Sequence, residues 1–129
     1  MDIKENIDLK PYTYFKIGGP ARFFVDVTNA EELRDAVRFA KSKSVPFVIF
    51  GSASNVLVAD AGFSGLVIRM GMRDIVRDGV NVRVGAGVPN AIVVARALQE
   101  KLSGIEWAIG IPGSIGGSVR GNAGCFSGE

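Results

Sequence analysis

Two glycine-rich stretches carry the groups best suited to chemistry, and the first consists of Gly51, Ser52, Ala53, Ser54 and Asn55. It directly follows the apolar run 46–50, which is typical of a buried strand. Small residues at such a point let a ligand approach several backbone amides at once. The serine hydroxyls and the Asn55 amide add further donors, which suits a diphosphate. Taken alone, the same composition is also typical of an ordinary tight turn.

The second stretch is more specific, because four glycines and a proline within eight residues demand a defined backbone path. It consists of Gly110, Ile111, Pro112, Gly113, Ser114, Ile115, Gly116 and Gly117. If Ser114 begins a short helix, the free amides of its first turn would face a phosphate. From these residues alone, ligand binding and chain packing explain the stretch equally well.

A third turn, 85–90, resembles the start of a G-x-G-x-x-G dinucleotide fingerprint but has Asn90 at the third glycine position. The strand before it is predicted to be the second arm of a hairpin, whereas the fingerprint belongs to a first parallel βαβ unit. We therefore interpret 85–90 as a strand-to-helix turn. Trp107 and Cys125 have plain interpretations as a core aromatic residue and an inert thiol.

The composition excludes several classes of function. The chain has 129 residues, of which 47% are hydrophobic and 22% charged, as expected of one globular domain. Its 15 basic and 13 acidic side chains nearly cancel, so we expect no nucleic-acid partner. With one cysteine and no histidine, the usual zinc spacings are absent. The lack of an export signal or a long apolar window predicts a cytoplasmic protein outside the membrane.

The elements expected to position these loops alternate between strand and helix. A strand at 22–27 leads to a capping box in which Thr28 would bond the amide of residue 31, opening a helix that ends near Ser44. The run 46–50 is predicted to be a strand buried on both faces and parallel to the first. Another strand follows at 65–69.

The second half is predicted to begin with an antiparallel hairpin over 75–84, with a type I′ turn at Asp78-Gly79. A helix then runs from Pro89, in its first turn, to Leu102. Its expected apolar face consists of Ile92, Val93, Ala95, Ala97 and Leu98.

Three stretches taken together resemble the UDP-N-acetylenolpyruvoylglucosamine reductase family. They are Thr13 to Ala21 (TYFKIGGPA), Gly51 to Val58 (GSASNVLV) and the run from Gly104-Ile105-Glu106 through I-P-G-S-I-G-G to Asn122-Ala123-Gly124. Their order and spacing match the N-terminal part of that family, and the resemblance covers nearly the whole chain.

The resemblance implies an α+β chain with the FAD-binding fold of the vanillyl-alcohol oxidase and p-cresol methylhydroxylase type. Two small lobes with mixed sheets, at about 15–70 and 71–129, would grip the cofactor within one FAD-binding domain, 1–129. The implied FAD-binding residues are those of 51–55 and 111–117, together with Asn122 and Gly124. Ser52 and Ala53 stand where the family usually has glycine, which would restrict the backbone and reduce FAD affinity.

The activity implied by the resemblance is an NADPH-dependent reduction of UDP-N-acetylglucosamine-enolpyruvate to UDP-N-acetylmuramate, a peptidoglycan precursor. The family's catalytic serine, arginine and glutamate would lie beyond Glu129 with the substrate-binding domain, so no catalytic residue is assigned here and the chain is expected to be inactive alone. An FAD-dependent oxidase of the same fold and a non-enzymatic nucleotide-binding module are the alternatives.

Overall fold

The computed structural model of the protein describes residues 1–129 and contains six strands and three α-helices. In chain order these are β1 (Lys4–Asp8), β2 (Pro20–Val27), α1 (Ala30–Ser42), β3 (Phe47–Phe50), β4 (Phe63–Met70), β5 (Ile75–Asp78), β6 (Asn81–Val84), α2 (Asn90–Gln99) and α3 (Ile115–Gly121). Short 3₁₀ turns occur at Lys10–Tyr12 and Glu106–Ala108. No helix is long and apolar enough to cross a membrane.

Four strands form one sheet in the order β1-β2-β4-β3. Strands β2 and β3 each run parallel to β4, as the strand–helix–strand pattern predicted, although β4 lies between them. The carboxyl ends of three strands therefore meet at one edge, and the loop 51–55 leaves from that edge. The antiparallel strand β1 was not predicted, because its sequence KENID has no apolar alternation.

The prediction that the third strand is buried on both faces was wrong. Strand β3 is the edge strand, and its Phe47 and Ile49 are 42% and 48% exposed. A continuous apolar run indicates a strand but does not show how many neighbours cover it. Only Phe50, immediately before the glycine loop, is buried.

The core lies on both faces of this sheet. On one face, Val25, Ile68 and their neighbours pack against Ala36 and Ala40 of α1. On the other face a second cluster contains Leu9, Ala21, Phe24, Phe50, Ala53 and Val67. Ala53 belongs to the first glycine loop, so that loop is anchored in the core by one methyl group.

Helix α1 begins one residue later than the capping box predicted. Asn29, not Thr28, is the N-cap, and its side chain accepts a hydrogen bond from the Glu32 amide at 2.9 Å. The Glu32 carboxylate accepts from the Thr28 amide at 2.7 Å, which lowers the pKa of Glu32. The box therefore has its expected partners shifted by one position.

The hairpin of β5 and β6 forms a separate two-stranded sheet. Its two-residue loop is Gly79-Val80, and only Gly79 has a positive φ, of 59°. A type I′ turn needs positive φ at both positions, so that prediction was wrong and the pattern is that of type II′. The guanidinium of Arg77 reaches Glu100, just after α2, at 2.6 Å.

Helix α2 is shorter than predicted and buries a different face. It ends at Gln99 rather than Leu102, and Pro89 is its N-cap. Ile92, Ala95 and Leu98 are exposed, whereas the buried residues are Asn90, Val93, Val94 and Ala97. The buried stripe includes a polar residue at the first position, which a search for apolar periodicity overlooks.

Candidate functional site

The first loop presents a row of unengaged hydrogen-bond donors. None of the amides of Ser52, Ala53, Ser54 and Asn55 donates to a protein acceptor, and no hydroxyl of the loop has a partner. Ala53 has φ of 48°, in the left-handed region, and is 4% exposed. A left-handed residue inside a run of free amides turns successive N–H groups toward one side, which makes an anion-binding concavity.

The stretch at 13–20 supports this loop from outside. The Tyr14 amide donates to Ala53 O at 3.1 Å, and the Gly19 amide donates to Ala59 O at 2.8 Å. A Cβ atom at Gly18 or Gly19 would overlap Val58 or Asp60. These glycines therefore serve close chain packing beside the loop.

The structure brings the two glycine-rich loops together. A Cβ atom at Gly51 would overlap Ser114 Oγ, and one at Gly113 would lie 2.8 Å from Ser54 Oγ. Loops from separate parts of the chain thus pack directly against each other, and we call their junction, Gly51–Asn55 with Gly113, Ser114 and Gly117, the cradle. A methyl group added at Gly51 would disturb this junction.

Ser114 is the central side chain of the cradle. It is 1% exposed and is the N-cap of α3. Its hydroxyl makes no capping bond and has no partner of any kind, although it is fully buried. An unpaired buried hydroxyl costs about 1–3 kcal/mol. It lies at the junction of the two loops, beside Gly51 and Gly117.

The prediction that the free amides of the first helical turn face a phosphate needs correction. The Ile115 amide donates to Val88 O at 2.8 Å, and the Gly116 amide donates to Ala86 O at 2.9 Å. These bonds fasten α3 to the turn 85–90 and leave neither amide for a ligand. Gly116 packs so closely on Ala86 that a Cβ atom would lie 2.7 Å from the alanine methyl. In this loop the amides of Gly113, Ser114 and Gly117 remain free.

The turn at 85–90 connects β6 to α2, as interpreted from the sequence. Gly85 and Gly87 lie against the backbone of Met72 and Met70, where side chains would collide. The turn holds the second loop through the carbonyls of Ala86 and Val88.

Asn90 is the site residue that sequence reasoning missed. Its amide donates to Gly113 O at 3.0 Å, and its Nδ2 donates to Ile111 O at 3.2 Å and to Ser118 Oγ at 2.7 Å. A polar residue opening an otherwise apolar helix was the one signal available.

Two of the proposed cofactor residues lie away from the cradle. Asn122 has a left-handed conformation, with φ of 47°, and caps the far end of α3. Seven helical residues separate it from Ser114, a distance of about 10 Å along the axis. Gly124 follows in a tight turn closed by mutual bonds between Cys125 and Gly128. Trp107, half-buried, packs against Gly128.

Neither loop contains a titratable side chain. The carboxyls with shifted pKa lie elsewhere: the Arg77 hydrogen bond lowers the pKa of Glu100, and amide donors of Glu106 and Gly104 lower that of Glu106. Arg69 is paired with Asp26. The cradle therefore offers amides and hydroxyls but no acid, base or cation, an arrangement that binds an anion without reacting with it.

Comparison with known proteins identifies the family and the fold of the chain. Residues 21–129 match the family described as FAD binding domain. A UDP-N-acetylenolpyruvoylglucosamine reductase of Clostridium novyi is 40% identical over 129 residues, covering 99% of this chain and 42% of that protein. The corresponding protein of Streptococcus uberis is 40% identical, covering 100% of this chain and 43% of its own length.

A crystal structure of the reductase from Thermus caldophilus has a TM-score of 0.82 and 36% identity, over 100% of this chain and 45% of that one. The chain thus spans less than half the length of these relatives. The α+β FAD-binding fold expected from the resemblance is confirmed. With 109 of its 129 residues inside the match, the chain belongs to the family of FAD-binding domains.

Proposed function

We propose that the cradle holds the diphosphate of FAD. The observation that carries this proposal is the buried, unpaired hydroxyl of Ser114 at the point where two runs of unengaged amides meet. A diphosphate presents several acceptor oxygens to one small volume, and the cradle offers several unengaged amide and hydroxyl donors. The residues present therefore fit the group.

The chemistry of the cradle explains how it would hold two negative charges without a cation. Backbone amides that already point inward need no reorganisation when the ligand arrives, and their dipoles act strongly where water is excluded. Hydroxyls of Ser52, Ser54 and Ser114 supply further donors. Gly51 and Gly113 keep the space open between them.

The remaining predicted residues have supporting roles in this proposal. Ile111, Pro112, Ile115 and Gly116 shape the second loop, and the last two fasten it to the turn 85–90. Asn122 and Gly124 would contact FAD away from its diphosphate, since the cofactor extends beyond the cradle. Two lobes, 15–70 and 71–129, would meet around it.

We further propose that the whole protein is a reductase of the kind named by its relatives. When bound, FAD supplies a hydride relay between NADPH and the enolpyruvyl double bond of the UDP-sugar. This chain would bind and orient the cofactor, while the acid that protonates the neighbouring carbon would come from outside it. The single free thiol, Cys125, suits the reducing cytoplasm in which we place the protein.

Titration of the chain with FAD, followed by flavin fluorescence and absorbance, tests the binding proposal. Binding should perturb the flavin spectrum saturably, and an unchanged spectrum at high micromolar FAD would contradict it. For the activity, the protein that contains this domain should oxidise NADPH only with UDP-N-acetylglucosamine-enolpyruvate. If the protein instead oxidised simple alcohols with oxygen, the alternative of an FAD-dependent oxidase would be favoured.

A further inference from the structure

We propose that Asn90, which lies outside both glycine-rich loops, is a positioning residue that sets the affinity of the cradle for FAD. This inference rests on the proposed function. Asn90 is the first residue of α2 and is 2% exposed. It touches no part of the free space itself, so it would act only through the loop that it holds.

Three hydrogen bonds from this one residue fix the second loop at three points. The backbone amide holds Gly113 O at 3.0 Å, directly beside the cradle. The side-chain Nδ2 holds Ile111 O at 3.2 Å, before the cradle, and Ser118 Oγ at 2.7 Å, in α3 beyond it. Ser114 lies between these fixed points and pairs with Pro89 in an isolated bridge. Loss of the side-chain bonds would remove the restraints at Ile111 and Ser118 and leave the loop held only by the backbone bonds at Gly113, Ile115 and Gly116.

The orientation of the Asn90 amide is determined by its partners. Ile111 O can only accept, so the nitrogen must face it. The carbonyl Oδ1 is consequently left buried with no donor. That unpaired acceptor costs free energy, whereas the two bonds from Nδ2 tie α2 to the second loop and to α3.

The fixed loop matters because a diphosphate cradle works only when its donors are in place before the ligand arrives. Gly113, Ser114 and Gly117 carry the free amides of the second loop, and Gly113 has φ of 113°, a conformation that favours glycine. A loop released at Ile111 and Ser118 would sample other conformations, and FAD binding would have to reorder it.

The test compares two variants of Asn90 with two controls. Asn90→Asp keeps the shape but cannot donate to Ile111 O, and Asn90→Ala removes both side-chain bonds. Asn81→Asp makes the same chemical change at an exposed position of β6. Val94→Ala removes buried volume from the same helix without removing any hydrogen bond to the second loop, so it reports the effect of destabilising α2.

The dissociation constant for FAD should rise by about 10-fold or more in both Asn90 variants, the equivalent of two lost hydrogen bonds, and by less than about 2-fold in both controls. Amide hydrogen exchange without FAD should accelerate over residues 111–118 in the Asn90 variants and stay unchanged in β2 and β4. Val94→Ala should lower the melting temperature without this local acceleration.

Three results would overturn the inference. Asn90→Ala could bind FAD as the unmodified chain does, or Val94→Ala could lose as much affinity as Asn90→Ala. In the third, exchange over 111–118 would be unchanged in both Asn90 variants. If the unmodified chain itself failed to bind FAD, the proposed function would fall and this inference with it, an outcome plainly different from the first three.

Discussion

The two glycine-rich loops look alike in sequence and differ in what their amides do. In 51–55 no amide has a protein acceptor, and the loop is anchored by Ala53 and by the Tyr14 amide. In 110–117 the amides of Ile115 and Gly116 are consumed by the turn 85–90. Glycine content therefore does not distinguish binding from packing. The distinguishing feature is whether the amides are already satisfied.

The parts of the chain that hold the two loops in place also differ. The first loop leaves a sheet whose two faces are covered by apolar clusters. The second is held by hydrogen bonds from the turn 85–90 and Asn90, and the neighbouring hairpin is tied to α2 by the charged pair of Arg77 and Glu100. Hydrogen bonds depend on direction, and the Arg77–Glu100 pair also responds to pH, so the second region should be the more easily perturbed.

The largest effect is expected where the loops meet. Gly51→Ala should weaken FAD binding by about 100-fold, ~2.8 kcal/mol, because its methyl group would occupy the position of Ser114 Oγ. Gly110→Ala is the matched control, since its methyl group would meet nothing within 4 Å. Flavin fluorescence titration measures both. Equal FAD affinities for the two variants would contradict the claim that the two loops form one shared cradle.

Ser114→Ala should change affinity and stability in opposite directions. Removing the unpaired hydroxyl should raise the free energy of unfolding by about 1 kcal/mol and weaken FAD binding by roughly 10-fold. Urea unfolding without ligand and FAD titration give the two quantities. The exposed Ser103→Ala serves as control and should alter neither. A Ser114→Ala chain that is less stable would show that the hydroxyl has a protein partner.

The charged pair of the second region gives a pH-dependent effect. The pKa of Glu100 is lowered in the folded state by Arg77, so its contribution is present above its unfolded pKa, near 4.3, and is lost as pH falls through the lower folded value. Glu100→Gln should therefore unfold at lower urea than the unmodified chain at pH 7, and the gap should close as the pH falls through the lowered folded pKa. If the difference in urea midpoint between the two chains persisted in acid, it would arise from packing and not from the charge of Glu100.

The smallest effect is expected at Ala53, where two terms oppose each other. Its left-handed φ of 48° costs about 1–2 kcal/mol, which glycine would relieve. Glycine would also remove a methyl group buried in the core, worth about 0.8 kcal/mol, and would add backbone freedom to the unfolded chain. Ala53→Gly should change the free energy of unfolding by less than about 1 kcal/mol. A large loss would show that the methyl anchor, not the turn, fixes the first loop.

Sequence reasoning located both loops, Ser114 as the start of α3, and the strand-to-helix nature of 85–90, because small residues and apolar periodicity are local signals. It placed β3 in the interior and overextended α2, because neighbours far along the chain decide which apolar residues are covered. It also assigned the first amides of α3 to a ligand, since the acceptors Ala86 and Val88 are nearly thirty positions earlier in the chain.

The same limit explains why Asn90 was missed, since nothing local shows that it reaches Ile111 and Ser118. A bulky residue at Gly116 would collide with Ala86 of the anchoring turn, so it would not distinguish a ligand cradle from a packed turn. Gly51 is the more informative position because an added methyl group would meet the side chain of Ser114 instead.

The most direct test of the shared cradle is an FAD titration of the ¹⁵N-labelled chain followed by amide chemical shifts. We expect the largest chemical-shift changes at Ser52–Asn55 and at Gly113, Ser114 and Gly117. All of these changes should fit one dissociation constant for FAD. The already bonded amides of Ile115 and Gly116 should move less. Shifts confined to one loop, or absent from both at saturation, would contradict the claim that the two loops bind one diphosphate.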